Sequence, residues 1–244
     1  ERTLRLRRRL AAEAAIWSSL GAHPNIVRCF YFTTIGDAPF LALEWIADPD
    51  RSNVSLHRLV ANRRGPLDPR HALRIAIEIC RGLVYIGERQ PNFVHRDLKV
   101  ENVLMSQSGV AKLTDFGFSS VEGGARLGGA EGATYAIPRP DQVVGTPSTM
   151  APEQWRRGVV DVRADIYALG CILFRMLAGH GPFKGEVRED YRIAHLESHP
   201  PPFDTDVPES LAQLTLKCLE KARRDRYQSM PELLATLEAL QVEL

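Results

Sequence analysis

Apolar residues recur at helical spacing in several separate parts of the chain. In residues 3–20, the apolar side chains lie three or four positions apart, as on one face of a helix: Leu6, Leu10, Ala14, Trp17 and Leu20. Residues 70–88 are apolar on nearly every side and predict a buried helix. Four later segments repeat the helical period, at residues 161–178, 186–197, 208–220 and 230–243.

A different pattern follows the first helical segment. Ile26–Thr34 and Pro39–Ile46 are rich in β-forming residues, and Gly36-Asp37 between them is typical of a hairpin turn. Shorter strands and loops are predicted within residues 93–97 and 103–113. Residues 117–145 are rich in Gly, Ala and Pro and predict a mobile loop. The sequence therefore indicates an α+β fold, with a small strand-containing part before a larger helical part.

Composition excludes several classes of protein. With 244 residues, 44% hydrophobic and 25% charged, the chain resembles an ordinary globular protein. The net charge of +1 favours neither nucleic acid nor an anionic membrane, and the longest apolar runs are too short to cross a bilayer. The four cysteines lie far apart without a CxxC pair, which predicts buried thiols in a reducing, cytoplasmic compartment. The oligomeric state cannot be read from these features.

Four polar residues near the middle of the chain suit phosphoryl transfer. Asp97, Lys99 and Asn102 lie within six residues, and Asp115 follows thirteen residues after Asn102. The reaction needs a carboxylate to accept the proton of the attacking hydroxyl, oxygen ligands for Mg²⁺, and a cation against the developing charge. These residue types supply all three groups.

The same segment resembles the eukaryotic-type protein kinase family. His95–Asn102 reads HRDLKVEN, similar to the family's catalytic loop, and Asp115–Gly117 is its metal motif DFG. Met150–Glu153 resembles the motif that closes the activation segment. Asp165–Gly170 resembles the central helix of the large lobe, and Asp225–Tyr227 resembles a conserved site near the end of the domain. The resemblance spans nearly the whole chain.

The resemblance implies a two-lobed, protein-kinase-like fold. Residues 1–46 would form an incomplete N-lobe with helix C and the family's fourth and fifth strands, and residues 47–244 the hinge connector and the mainly helical C-lobe. The implied activity is transfer of the ATP γ-phosphoryl group to Ser or Thr hydroxyls of a protein substrate, with Mg²⁺ or Mn²⁺. Lys99 before Glu101-Asn102, and Gly145-Thr146-Pro147, are similar to the Ser/Thr class. Asp161–Gly170 together with Asp225–Ser229 most resembles bacterial members of that class.

The resemblance also assigns roles in the catalytic centre. Asp97 would be the base and Lys99 the cation near the γ-phosphate, while Asn102 and Asp115 would bind the metal. Thr146 would bridge Asp97 and Lys99.

For the nucleotide, the hinge residues Glu44 and Ile46, after a gatekeeper Leu43, would bind adenine through their backbone. Leu104 would lie under the adenine ring. Glu13 would pair with a strand lysine, although a solvated Glu on an Arg-rich helix is an alternative interpretation.

Three structural contacts are implied as well. Asp165 would support the backbone of the catalytic loop, and Arg226 would pair with Glu153. An apolar stack between the lobes would consist of four residues: Trp17, Cys29, His95 and Phe116.

Two family features are missing from the sequence. No Gly precedes Gly21 and no Lys precedes Lys99, so neither the glycine-rich loop nor the strand lysine occurs. Val100 also replaces the usual Pro. Either the chain is cut from a longer protein, which the intact Asp97 and Asp115 favour, or its parent is a pseudokinase that serves as a docking or regulatory module.

Overall fold

The computed structural model describes most of the chain. The described residues are 17–36, 38–46, 54–62, 65–116, 120–121, 145–204 and 206–244. Of the helix predicted over residues 3–20, residues 17–19 are described and are helical. Most of the predicted loop over residues 117–145 lies outside the described residues.

The described strands form three antiparallel pairs. In chain order they are β1 (Cys29–Ile35), β2 (Ala38–Leu43), β3 (Phe93–Val94), β4 (Val103–Met105), β5 (Ala111–Leu113) and β6 (Ser120–Val121). β1 pairs with β2, β3 with β6, and β4 with β5. The predicted hairpin is confirmed, with Gly36 in the left-handed region at φ 59°. The loop prediction is wrong at β6, because β3 supplies a partner that composition cannot reveal.

The helices follow the predicted periodicity. They are α1 (Leu56–Ala61), α2 (Pro69–Arg89), α3 (Pro152–Trp155), α4 (Val162–Ala178), α5 (Arg188–Glu197), α6 (Glu209–Cys218) and α7 (Met230–Glu243). Single 3₁₀ turns lie at Val100–Asn102, Pro147–Thr149 and Arg223–Asp225. The four helices expected in the last third of the chain are therefore confirmed, with bounds that differ by two residues or fewer.

α2 begins at a capped N-terminus. The Asp68 side chain accepts a hydrogen bond from the N–H of His71 at 3.1 Å, and Pro69 occupies the first turn, where its missing N–H costs nothing. Ten of its residues are buried, which confirms a core helix. It is not apolar all round, however. Arg81 lies on the surface and pairs with Glu238 of α7 at 2.7 Å.

α4 is the central helix of the larger part. Asp161 caps its N-terminus by accepting from the N–H of Arg163 at 3.0 Å, and Gly179 ends it with φ 79°. Fourteen of its 17 residues are buried. A Cβ atom on Gly170 would lie 2.7 Å from Cβ of Cys218, so α4 and α6 approach closely only because this residue is glycine.

The strand-containing part joins the helical part through backbone and side chains. Ile26 forms a β-bridge with Leu113 of β5, and the N–H of Val27 donates to the Leu113 carbonyl at 2.9 Å. Indole Nε1 of Trp17 donates to the Val27 carbonyl at 2.5 Å. Trp17, Ile26 and Val27 are buried in the same apolar cluster as α2 and α4. One continuous core therefore underlies both parts.

All four cysteines are free and buried, as predicted. Within the described ranges, no helix is long and apolar enough to cross a membrane.

A buried ion pair fixes the region between α3 and the end of the chain. The Arg226 side chain is 0% exposed, and its two terminal nitrogens donate to the two carboxylate oxygens of Glu153 at 2.8 and 2.9 Å. The remaining N–H groups donate to the carbonyls of Glu220, Arg163 and Lys221 at 2.7, 2.8 and 3.1 Å. All five guanidinium N–H groups thus have acceptors. The implied Glu153–Arg226 pair is confirmed.

We predict that Arg226→Met lowers the free energy of unfolding by about 3–5 kcal/mol, because it leaves the Glu153 carboxylate buried without its cation. Urea denaturation followed by circular dichroism would measure the loss. Arg81→Met, which breaks the exposed pair with Glu238, is the matched control and should cost about 1 kcal/mol or less. Similar losses in the two variants would contradict the buried pair's structural role.

Candidate active site

The loop after β3 is held from beneath by α4. The Asp165 carboxylate, 1% exposed, accepts hydrogen bonds from the N–H groups of His95 at 2.7 Å and Arg96 at 3.0 Å. Burial raises the pKa of Asp165, while these N–H groups stabilise its charged form. Arg96 has φ 66°, an uncommon value for a non-glycine residue, and its carbonyl accepts from Nε2 of Gln154 at 3.0 Å. The loop therefore has one imposed conformation.

Asp97, Lys99 and Thr146 form a closed three-way contact. Lys99 Nζ lies 2.7 Å from one Asp97 oxygen and 3.0 Å from the Thr146 hydroxyl. The hydroxyl donates to the other Asp97 oxygen at 2.7 Å. Asp97 is 3% exposed, so the contact lies largely out of water. The structure thus brings Thr146 to two residues that lie 49 and 47 positions earlier in the chain.

The two residues predicted as metal ligands are neighbours. The Asn102 amide nitrogen donates to the Asp97 carbonyl at 2.9 Å, which leaves the amide oxygen as the group that can face a cation. The N–H of Thr114 donates to the Asn102 carbonyl at 3.0 Å and so places Asp115 beside it. Asp115 is exposed and has φ 60°.

These groups fit a magnesium ion. Mg²⁺ prefers oxygen ligands and keeps several waters, so one carboxylate and one amide oxygen suffice when phosphate oxygens complete the shell. The described residues contain no group of three His, Cys, Asp or Glu side chains that could hold a metal by itself. Asn102 and Asp115 would therefore hold the ion only together with a phosphate-bearing ligand.

The ring of Phe116 anchors the metal-binding segment in the core. Phe116 is 1% exposed, and its centroid lies 4.8 Å from that of Trp17 and 5.5 Å from that of His95. Cys29 is buried in the same apolar cluster as Trp17 and Phe116. The part of the predicted stack formed by Trp17, Phe116 and His95 is thus confirmed. It fixes the residue next to Asp115 from both parts of the fold.

The residues predicted for the nucleotide lie at the junction of the two parts. Glu44 follows β2, and its carboxylate accepts from the N–H of Arg28 at 3.1 Å and from Lys112 Nζ at 3.0 Å. Burial opposes ionisation of Glu44, but these two contacts outweigh burial and lower its pKa. Leu104 is paired with Lys112 across β4 and β5, so the two side chains share a face. The ion pair thus ties the end of β2 to the strand that leads to Asp115.

The structure describes two of the remaining four predicted residues. Leu43 and Ile46 are partly buried and pack against the core. Glu13 and Gly117 lie outside the described residues, so the pairing of Glu13 stays a prediction.

Two polar contacts of the site were missed from sequence. Lys112 is the one polar residue of β5, between Ala111 and Leu113, and this alternation could have placed it on the polar face. The bond from Gln154 to Arg96 spans 58 residues and has no local signal.

Comparison with known proteins agrees with this geometry. The family model of the protein kinase domain matches residues 1–237. Serine/threonine-protein kinase PrkC of Bacillus subtilis is 30% identical over 234 residues, which are 95% of this chain and 33% of that protein. Serine/threonine-protein kinase PknB of Mycolicibacterium smegmatis is 32% identical over 241 residues, 96% of this chain and 35% of that protein.

The chain spans about a third of the length of these bacterial relatives. The family model agrees with the two-part fold and with the catalytic and metal-binding motifs that lie together in one site. The chain therefore belongs to the protein kinase domain family.

Proposed function

We propose that this chain is the catalytic domain of a protein serine/threonine kinase, which transfers the γ-phosphoryl group of ATP to a Ser or Thr hydroxyl of a protein substrate. The observation that carries the proposal is the closed contact of Asp97, Lys99 and Thr146. It sets a buried carboxylate and a cation side by side, which is the equipment that hydroxyl attack on a phosphoryl group requires.

In this proposal Asp97 is the base. Its carboxylate accepts the proton of the substrate hydroxyl, and the Thr146 hydroxyl and Lys99 fix its orientation at 2.7 Å each. Lys99 places its amino group beside the reacting groups, where negative charge builds up on the transferred phosphoryl oxygens.

Asn102 and Asp115 would hold Mg²⁺, and Mn²⁺ could replace it at the same oxygen ligands. When bound, the ion would neutralise part of the negative charge of the phosphates. The chain's own contribution is orientation, because the Asn102 amide is held by the Asp97 carbonyl at 2.9 Å and Phe116 anchors the backbone next to Asp115.

The nucleotide would lie between the two parts of the fold. We propose that the backbone of Glu44 and Ile46 binds adenine and that Leu104 forms the apolar floor beneath it. The division into residues 1–46 and 47–244 is part of the same proposal. Buried free thiols and a net charge of +1 favour a reducing, cytoplasmic setting and a protein partner over nucleic acid.

A non-catalytic docking module is the competing function. Docking alone does not require a buried base, a cation and two metal ligands in one site. The joint presence of Asp97, Lys99, Asn102 and Asp115 in one site therefore favours the enzyme.

We predict that Asp97→Asn lowers kcat for Mg²⁺-dependent transfer of labelled phosphate from ATP to casein by about 10²–10⁴-fold, because the amide cannot accept the hydroxyl proton. Glu101→Gln is the control. Glu101 is half-exposed and pairs with His57, so activity should stay within about twofold. Equal signal from Asp97→Asn and the unchanged protein would refute catalysis by this site.

We also predict that Lys112→Met raises KM for ATP about fivefold and changes kcat by less than about twofold, since it removes one hydrogen-bonded ion pair that fixes Glu44. Initial rates across ATP concentrations measure both constants. Arg192→Met breaks the exposed pair with Glu189 and serves as the control. An unchanged KM in Lys112→Met would show that the Glu44–Lys112 contact does not shape the adenine site.

A further inference from the structure

Gln154, in the short helix α3, uses both ends of its side-chain amide. Gln154 is 8% exposed. Its amide oxygen accepts from the N–H of Ala151 at 2.9 Å, and its amide nitrogen donates to the carbonyl of Arg96 at 3.0 Å. A buried amide has to replace the water that it loses, and these two bonds do so. They also join the loop after β3 to the segment that leads into α3.

The acceptor half of the amide acts locally. Ala151 directly precedes α3, and the backbone N–H of Gln154 donates to the Ala151 carbonyl at 2.9 Å. A side chain that accepts from the N–H before the helix forms half of a capping box, and Glu and Gln can both fill this role. The positive end of a helix favours Glu in that place. Capping therefore does not explain why this side chain is an amide.

The donor half of the amide acts on a residue that needs support. Arg96 has φ 66°, a backbone conformation that a non-glycine residue keeps only where its surroundings impose it. Its N–H donates to Asp165 of α4 at 3.0 Å, and its carbonyl accepts from Gln154 of α3 at 3.0 Å. An ionised Glu could not donate to this carbonyl. Two helices thus hold the two sides of Arg96, and the second contact requires the amide.

The carbonyl held by Gln154 belongs to the peptide bond that joins Arg96 to Asp97. Because a peptide group is planar, fixing its C=O also fixes the backbone nitrogen and Cα of Asp97. The carboxylate of Asp97 is held separately, by Lys99 and Thr146 at 2.7 Å each. Gln154 therefore acts on the backbone of the proposed base, and the other two residues act on its carboxylate.

The surroundings of the amide leave little room for movement. A Cβ atom on Gly145 would lie 3.1 Å from the Arg96 carbonyl and 3.4 Å from the amide nitrogen of Gln154. Donor, acceptor and the backbone of Gly145 are therefore in close contact. The neighbouring residue Glu153 is bound to Arg226 through the buried ion pair. The amide is thus carried by a fixed element, which lets it hold the carbonyl in one position.

We propose that Gln154 is a positioning residue for phosphoryl transfer: its amide joins the Ala151 N–H to the Arg96 carbonyl and so fixes the backbone of the base Asp97. This role rests on the proposed kinase function. It also makes the geometry of the base depend on the correct placement of the segment before α3, because one side chain binds both.

The test compares Gln154→Glu with Gln154→Met in phosphate transfer from ATP to casein at pH 8.5. Glutamate keeps an acceptor for the Ala151 N–H, but its ionised carboxylate repels the Arg96 carbonyl. Methionine has a similar volume and makes neither bond. Each variant should lower kcat about tenfold through misplacement of Asp97, with KM for ATP within about twofold, since the residues proposed for adenine lie elsewhere.

Gln90 offers a matched control. It is 6% exposed, and its amide nitrogen donates to the Ser19 hydroxyl at 3.1 Å, at the C-terminal end of α2. Gln90→Glu and Gln90→Met make the same chemical changes at a similarly buried glutamine outside the proposed site. Both should keep kcat within about twofold. A tenfold loss in these variants as well would overturn the specific role of Gln154.

A side chain that only capped α3 would give full kcat in Gln154→Glu, because the capping acceptor remains. Full kcat in that variant would therefore overturn the proposal. If circular dichroism shows that Gln154→Glu does not fold, Gln154→Met decides the matter, and full kcat in the folded methionine variant would overturn the proposal in the same way.

Amide hydrogen exchange followed by NMR tests the two bonds without any activity. In Gln154→Glu, the N–H of Arg96 should exchange at least about tenfold faster than in the unchanged protein, while the N–H of Ala151 stays protected. In Gln154→Met, both should exchange faster. Unchanged exchange of the Arg96 N–H in both variants would contradict the proposal. If the unchanged protein transfers no phosphate, the kinase function fails, and the exchange result alone decides whether Gln154 holds the loop.

Discussion

The buried carboxylate of Asp165 is the constraint on which the rest of the site depends. An anion in the core is unfavourable unless hydrogen bonds replace the lost water. Here the replacements are the backbone N–H groups of His95 and Arg96, at 2.7 and 3.0 Å. The loop that supplies them adopts the uncommon φ of 66° at Arg96, directly before the buried Asp97. The central helix α4 thus sets the geometry of residues that it does not contain.

Around this loop, the site is assembled from segments with different anchors. Phe116 holds the segment next to Asp115 in the apolar core, and Lys112 holds the end of β2 through its ion pair with Glu44. Each of these segments is therefore fixed by a contact of its own. In the proposed function, nucleotide affinity and phosphoryl transfer would therefore depend on different contacts, although both would involve Asn102 and Asp115.

Much of this architecture could be predicted from sequence, because hydrophobic period and adjacent motifs are local signals. The β1–β2 hairpin, the four later helices and the contiguous Asp97–Asn102 segment depend on such signals. The errors and omissions share one cause. Periodicity indicates whether a residue is buried but not which residue it contacts. The pairing of Ser120–Val121 with β3 and the hydrogen bond from Gln154 to Arg96 therefore could not be predicted.

The guanidinium of Arg226 has a consequence for how the domain is made. Its acceptors come from distant places: Glu153 is 73 residues earlier in the chain and Arg163 is 63. During synthesis from the N-terminus, the segment that ends the activation region emerges long before the residue that locks it. Until Arg226 has been synthesised, the Glu153 carboxylate lacks its cation, and burying it in the core is unfavourable. This buried contact can therefore form only after synthesis has passed Arg226, so we expect this part of the core to be completed late.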